Sequence, residues 1–133
     1  MKLLHALGTA ALMVSMLPGA AVAKQAAATA EPRFIHHVFF TLKRPGNAGD
    51  RARLIAALRK LMATPVIRTY QIGQHAGTTR DVVQRGYDVS LTLTFDSPAD
   101  QETYQDHPIH LAFVRDNAAL WSKVVVYDTV PVP

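Results

Sequence analysis

The segment Tyr104-x-x-His107-Pro108-x-His110 gathers one phenol and two imidazoles within seven residues. A tyrosine ionises near pH 10 and a histidine near 6.5, so the two types can divide acid and base roles at neutral pH. His107 precedes a proline, which pushes it out of the helical region and suits it to cap a following turn. Pro108 then fits the first helical position, and His110 falls in the first turn of the new helix. Tyr104 falls in the last turn of the helix before the break. The kink therefore brings Tyr104 and His110 together from two helical segments. Spacing alone leaves two readings open: an acid–base pair facing a pocket, or a kink satisfied locally, with His107 as cap and Tyr104 packed on its ring. A metal site is not expected. His107 and His110 are three apart, without the glutamate or the four-residue spacing of a zinc-protease helix.

His36 and His37 are adjacent in an extended segment and point to opposite faces. His36 shares its parity with Phe34, Val38, Phe40 and Leu42, the most apolar row of that segment. In such a row a histidine is either a satisfied core residue or a pocket residue. His75 sits among loop residues and is expected at the surface. The chain has no cysteine, which excludes a disulfide framework, a thiolate zinc site and a cysteine nucleophile. No serine-nucleophile turn and no phosphate-cradling glycine loop appears. No cofactor is expected. Lys43, Arg44, Arg51, Arg53, Arg59 and Lys60 form a basic run that meets only Asp50. It lacks the interleaved aromatics that would stack bases, so it reads as a solvated helix face and not as a nucleic-acid surface.

The elements that must position these groups follow from periodicity. Phe34 to Leu42 reads as a strand. Leu54, Ile55, Leu58, Leu61 and Met62 make one apolar helical stripe, with Asp50 as a candidate cap and Pro65 at the end. Val66 to Gln74 reads as a second strand and 77–86 as a polar loop. Tyr87, Val89, Leu91, Leu93 and Phe95 alternate with polar residues in the clearest strand of the chain. Ser97-Pro98 opens a second helix, broken at His107-Pro108 and resumed to about Asn117. Ser122 to Val130 closes the set. The order β-α-β-β-α-β predicts an α+β, ferredoxin-like protomer: a four-stranded antiparallel sheet with the helices on one face. Apolar residues such as Ile35 and Phe39 face the other side, which calls for a homodimer packed sheet against sheet.

The 133 residues carry 49% hydrophobic and 18% charged side chains with a net charge of +4, ordinary values for one globular domain. Lys2, the apolar run Leu3 to Leu17, Pro18-Gly19 and Ala21-Val22-Ala23 have the layout of a cleaved secretory signal over residues 1–23. The run is shorter than the roughly 20 residues of a spanning helix, which makes a retained anchor the weaker reading beside a cleaved signal. Residues 24–33 read as a flexible lead-in and 34–130 as the domain, expected outside the cytoplasm, in the periplasm or secreted.

Several strings then act together: Ile35-His36-His37-Val38, Gly86-Tyr87, Phe95-Asp96-Ser97, the His107-Pro108-x-His110 kink, and Trp121-Ser-Lys123-Val-Val-Val-Tyr-Asp128. Over about residues 34 to 130 these resemble the stress-responsive dimeric α/β-barrel domain family. The resemblance implies a ferredoxin-like protomer whose sheets pair into a dimeric barrel. It says less about activity, since one fold hosts many functions. Through the family's polyketide (olivetolic acid) cyclase it implies catalytic roles for Tyr104 and His110, with His36 and His107 matching ligand-binding positions. A pocket histidine of that enzyme corresponds to Val89 here. Two functions follow as expectations. One is binding of an apolar or aromatic small molecule between the sheet and the second helix. The other is cofactor-independent lyase or cyclase chemistry on a carbonyl substrate.

Overall fold

Strand β1 (Phe34–Leu42) alternates half-buried and buried residues from Ile35 to Leu42, the signature of a strand with one covered face. The computed structural model describes residues 33–133; the expected signal segment 1–23 and positions 24–32 of the lead-in lie outside the described residues. After β1 come α1 (Ala48–Leu61), β2 (Thr69–Gly73), β3 (Val89–Phe95), α2 (Pro98–Asp106), α3 (Pro108–Asn117), a 3-10 turn (Ala118–Leu120) and β4 (Trp121–Thr129). The four strands form one antiparallel sheet in the order β2-β3-β1-β4. This is the ferredoxin-like α+β arrangement, with all three helices on one side of the sheet.

The helix-covered face holds the core. Val38, Phe40 and Leu42 of β1 and Val89, Leu91, Leu93 and Phe95 of β3 pack against Leu54, Leu58 and Leu61 of α1, Tyr104 of α2 and Phe113 of α3. Burial of these side chains is the main term that holds helices to sheet. His36 sits in the same row and is buried, so parity placed it correctly.

Four local details differ from the pattern reading. Asn47, not Asp50, caps α1: its side-chain oxygen accepts the Asp50 N–H at 2.9 Å. Asp50 lies in the first turn, where its carboxylate accepts from Arg44 (2.7 and 2.6 Å) and Arg53 (2.7 Å). The Arg44 hydrogen bond, above all, holds its carboxyl below the usual carboxylate range. β2 begins at Thr69 because Thr64 to Ile67 close a turn, and β3 begins at Val89. Asp88 is diverted to accept the Leu42 and Gly46 N–H groups, which ties the 74–88 connection to the end of β1. His75, expected at the surface, is half-buried: its Nδ1 accepts the Gly77 N–H at 2.8 Å and its ring lies against Tyr87.

Candidate functional site

The break between α2 and α3 forms where the sequence places it. Ser97 caps α2 through the Asp100 N–H, with Pro98 in the first turn. His107 has an extended backbone (φ -66, ψ 135) and ends α2 while capping α3. Its Nδ1 accepts the Ile109 N–H at 3.2 Å. That nitrogen therefore bears no proton, and the capping role is direct.

Tyr104, one turn before the break, is 2% exposed. Its ring sits 4.5 Å from the His110 ring and 5.9 Å from the His36 ring, centroid to centroid. It also packs on Phe95. Burial pushes the phenol well above its ordinary value, because a tyrosinate there would lose its hydration. Tyr104 is thus a neutral O–H donor throughout the neutral range. Among the described residues its hydroxyl has no protein hydrogen-bond partner.

His110 is oriented from the other side of the kink. Its Nδ1–H donates to the Gln105 carbonyl at 2.8 Å; a carbonyl can only accept, so Nε2 of the neutral ring is left with its lone pair. His36 is fixed in the same manner by β4. The antiparallel register sets His36 opposite Asp128, and the two side chains meet at 2.6 Å between Nδ1 and Oδ1. The carboxylate accepts the hydrogen bond from Nδ1–H, which fixes the ring and turns its Nε2 edge away from Asp128. His37 points to the opposite face and bonds Thr92.

His36, Tyr104 and His110 line one cavity of about 240 Å³ between the sheet and α2–α3. Its remaining wall is almost wholly apolar, with Phe40, Leu91, Phe113 and Trp121 among the contributors. No lysine or arginine lines it. His107 is not among the lining residues; its side chain serves the helix cap. Asp128, which orients His36, is the partner that residue-by-residue reading passed over. Counting the antiparallel register between β1 and β4 would have found it. Among the described residues no three His, Cys, Asp or Glu side chains gather as a metal would require. A larger hollow of about 420 Å³ lies on the other sheet face, lined by Phe39, Tyr87, Lys123 and Tyr127 among others, away from the acid–base groups.

The family model for the stress-responsive A/B barrel domain matches residues 34–131. The chain belongs to this family. No curated protein matches the sequence. Among solved structures, a stress-responsive-barrel family protein with a ferredoxin-like fold from Mesorhizobium loti is 27% identical, covering 77% of this chain and all of its own (100%), at a TM-score of 0.65. A dimeric ferredoxin-like protein of unknown function from Thermobifida fusca is 24% identical, covering 74% and 90%, at 0.62. A hydroxynitrile lyase from Passiflora edulis is 22% identical, covering 77% and 96%, also at 0.62. Stress-responsive barrel domains thus share a backbone with at least one lyase, and any functional reading of this chain rests on its own site geometry.

Proposed function

We propose that this stress-responsive barrel domain binds a small, neutral, apolar or aromatic carbonyl compound between the sheet and the kinked helices. We further propose that Tyr104 and His110 act on it as an acid–base pair. The supporting observation is the convergence of Tyr104, His110 and His36 on one apolar cavity. In this reading the compound's carbonyl oxygen accepts the Tyr104 hydrogen bond, and His110 Nε2 takes a proton from the adjacent carbon. Negative charge then develops on an oxygen that already faces a donor, in a site walled almost wholly by apolar side chains. The electron pair of the broken C–H bond passes to the carbonyl oxygen as an enolate, and the His110 imidazolium returns the proton to the same carbon, so the enolisation balances without a cofactor. His36, held by Asp128, offers a fixed polar edge for a hydroxyl of the ligand.

The test is kinetic and calorimetric together. His110→Ala and Tyr104→Phe should each lower the rate of α-proton exchange in an aryl ketone substrate by about 10²–10⁴-fold, with the fold intact. Binding without turnover is the second reading, favoured by the close contact of the Tyr104 and His110 rings, 4.5 Å between centroids. Under it both variants would change affinity modestly and no product would form at any pH. If neither variant altered binding or turnover, both readings would fall.

The assembly reading is a homodimer through the open sheet face, where Phe39 and Tyr127 form an edge-to-face contact and Tyr127 stays exposed. The Thermobifida fusca neighbour is dimeric. Export is the reading of residues 1–23. Mass spectrometry of the native protein should find a mature N-terminus at or near Lys24; retention of Leu3 to Leu17 would overturn it.

A further inference from the structure

The hollow of about 420 Å³ on the open sheet face falls within the roughly 300–1,000 Å³ of ordinary small-molecule pockets. Its floor is built by strand register. β1 and β4 pair Thr41 with Lys123 and Phe39 with Val125, and set Tyr127 opposite His37. The floor therefore runs from a cationic rung through an apolar rung to the Tyr127 ring, with about 7 Å between rungs two residues apart. An irregularity in the ladder at Thr41 and Leu42 makes this possible. It leaves Trp121 opposite Leu42 on the covered face and Lys123, two residues on, opposite Thr41 on the open face. The 74–88 connection supplies the wall. Tyr87 meets the Phe39 ring edge to face at 4.9 Å, and Phe39 meets Tyr127 in the same way at 6.1 Å.

We infer that this hollow is a second ligand site and that it takes a single-ring aromatic carboxylate, the ring over Phe39 and Val125 and the carboxylate on Lys123. The inference is independent of the acid–base reading, which concerns the other face of the sheet. Three observations choose this occupant. Among the described residues no carboxylate pairs with Lys123. The lining holds no aspartate or glutamate, and the neighbouring Asp88 carboxylate is already taken by the Leu42 and Gly46 N–H groups. A cationic ligand would gain from the rings, but it would meet Lys123 with no carboxylate to offset the repulsion. Phe39, Tyr87 and Tyr127 present ring edges and faces on which a planar ring packs better than an aliphatic chain does. Thr41 spends its hydroxyl proton on the Gly86 carbonyl, so it pins the wall and leaves Lys123 as the charged donor. In the dimer assigned to this face, the second copy roofs the hollow and does not fill it.

The experiment is equilibrium dialysis of the purified protein against benzoate, neutral benzamide and cationic benzylamine. Benzoate should bind about fivefold more tightly than benzamide, the upper range for an exposed ion pair, and benzylamine most weakly. Added salt should narrow the gap. Lys123→Met keeps the length of the side chain and removes its charge, so it should erase the preference for benzoate. Tyr127→Leu should weaken benzoate and benzamide alike, by about threefold. Both positions are exposed, and the fold should tolerate either change. Trp121, the only tryptophan of the chain, lines the Tyr104–His110 cavity on the other face, so its emission should not follow benzoate. The site is wrong if benzoate shows no saturable binding at millimolar concentration, or if Trp121 emission tracks it, which would place it in the other cavity. The anionic class is wrong if benzamide or benzylamine matches benzoate, or if Lys123→Met keeps the preference. Sedimentation should be unchanged by benzoate; a dimer that dissociates on its addition would make the hollow the seat of the second copy and overturn the inference.

Discussion

Tyr104 keeps its proton because burial, not a charged neighbour, controls it. Its value in the fold lies above that of the unfolded chain, about 10, so the fold favours the neutral phenol. That contribution to stability is complete below about pH 10 and is lost as pH rises through the folded value. In an alkaline titration, ultraviolet absorbance should therefore show the Tyr104 phenolate only well above pH 10, together with unfolding. The difference between the native chain and Tyr104→Phe isolates this one of the four tyrosines. A phenolate of Tyr104 at ordinary pH in the folded protein would contradict the assignment. The same burial is what fits Tyr104 as a donor: it holds its O–H at every pH where an imidazole can serve as base. His36 and His110 are fixed differently, each by one acceptor on Nδ1, Asp128 for the first and the Gln105 carbonyl for the second.

The α2–α3 break is the element on which the site depends. Regular helix through residue 107 would send Tyr104 and His110 to different faces, since six positions at 100° each leave them about 120° apart around the axis. The extended His107 resets the phase and starts a new helix whose first turn brings His110 against Tyr104. His107 belongs to this hinge and not to the cavity wall. His107→Ala should destabilise the protein by about 1 kcal/mol, the usual cost of a lost N-cap, measured by denaturant unfolding. His107→Asn should restore much of it, because an amide oxygen accepts the same N–H. A ligand-binding role for His107 would instead predict lost affinity in both variants at unchanged stability. The expected loss for the alanine variant is small enough to leave the protein folded.

For the whole molecule, the sheet has one face under three helices and one without helices. Phe39 is held there between Tyr87, at 4.9 Å between ring centroids, and Tyr127, at 6.1 Å. Thr41 donates to the Gly86 carbonyl at 2.6 Å, so the 74–88 connection already covers part of this face from within the chain. What remains is the surface we assign to a second copy. Tyr127→Asp adds a charge at a position 60% exposed in the protomer, where the fold itself tolerates it. Buried in a dimer interface, an unpaired carboxylate is costly. Sedimentation should therefore find the native chain dimeric and Tyr127→Asp monomeric, with Trp121 fluorescence unchanged. A dimer that survives the substitution would move the interface elsewhere.

Local chemistry was legible in the sequence wherever it depends on neighbours along the chain. Alternation in β1 and β3 gave the strands and put His36 on the covered face; Ser97-Pro98 and His107-Pro108 gave the start and the break of the second helix, because a proline's missing N–H and fixed φ act on its immediate surroundings. The element order was enough for the ferredoxin-like fold. Boundaries set by side chains reaching across the chain were not legible. Asp50 looked like a cap and is instead held by two arginines, and Asp88 leaves β3 to bind the backbone at the end of β1 and just after it. The convergence of His36 with Tyr104 and His110 likewise needed three dimensions, since strand and kink lie some seventy residues apart and only packing of α2 over the sheet joins them. The pairing of His36 with Asp128 was decided by strand register across 92 positions. Periodicity tells which face a residue takes; only the tertiary structure decides what stands opposite it.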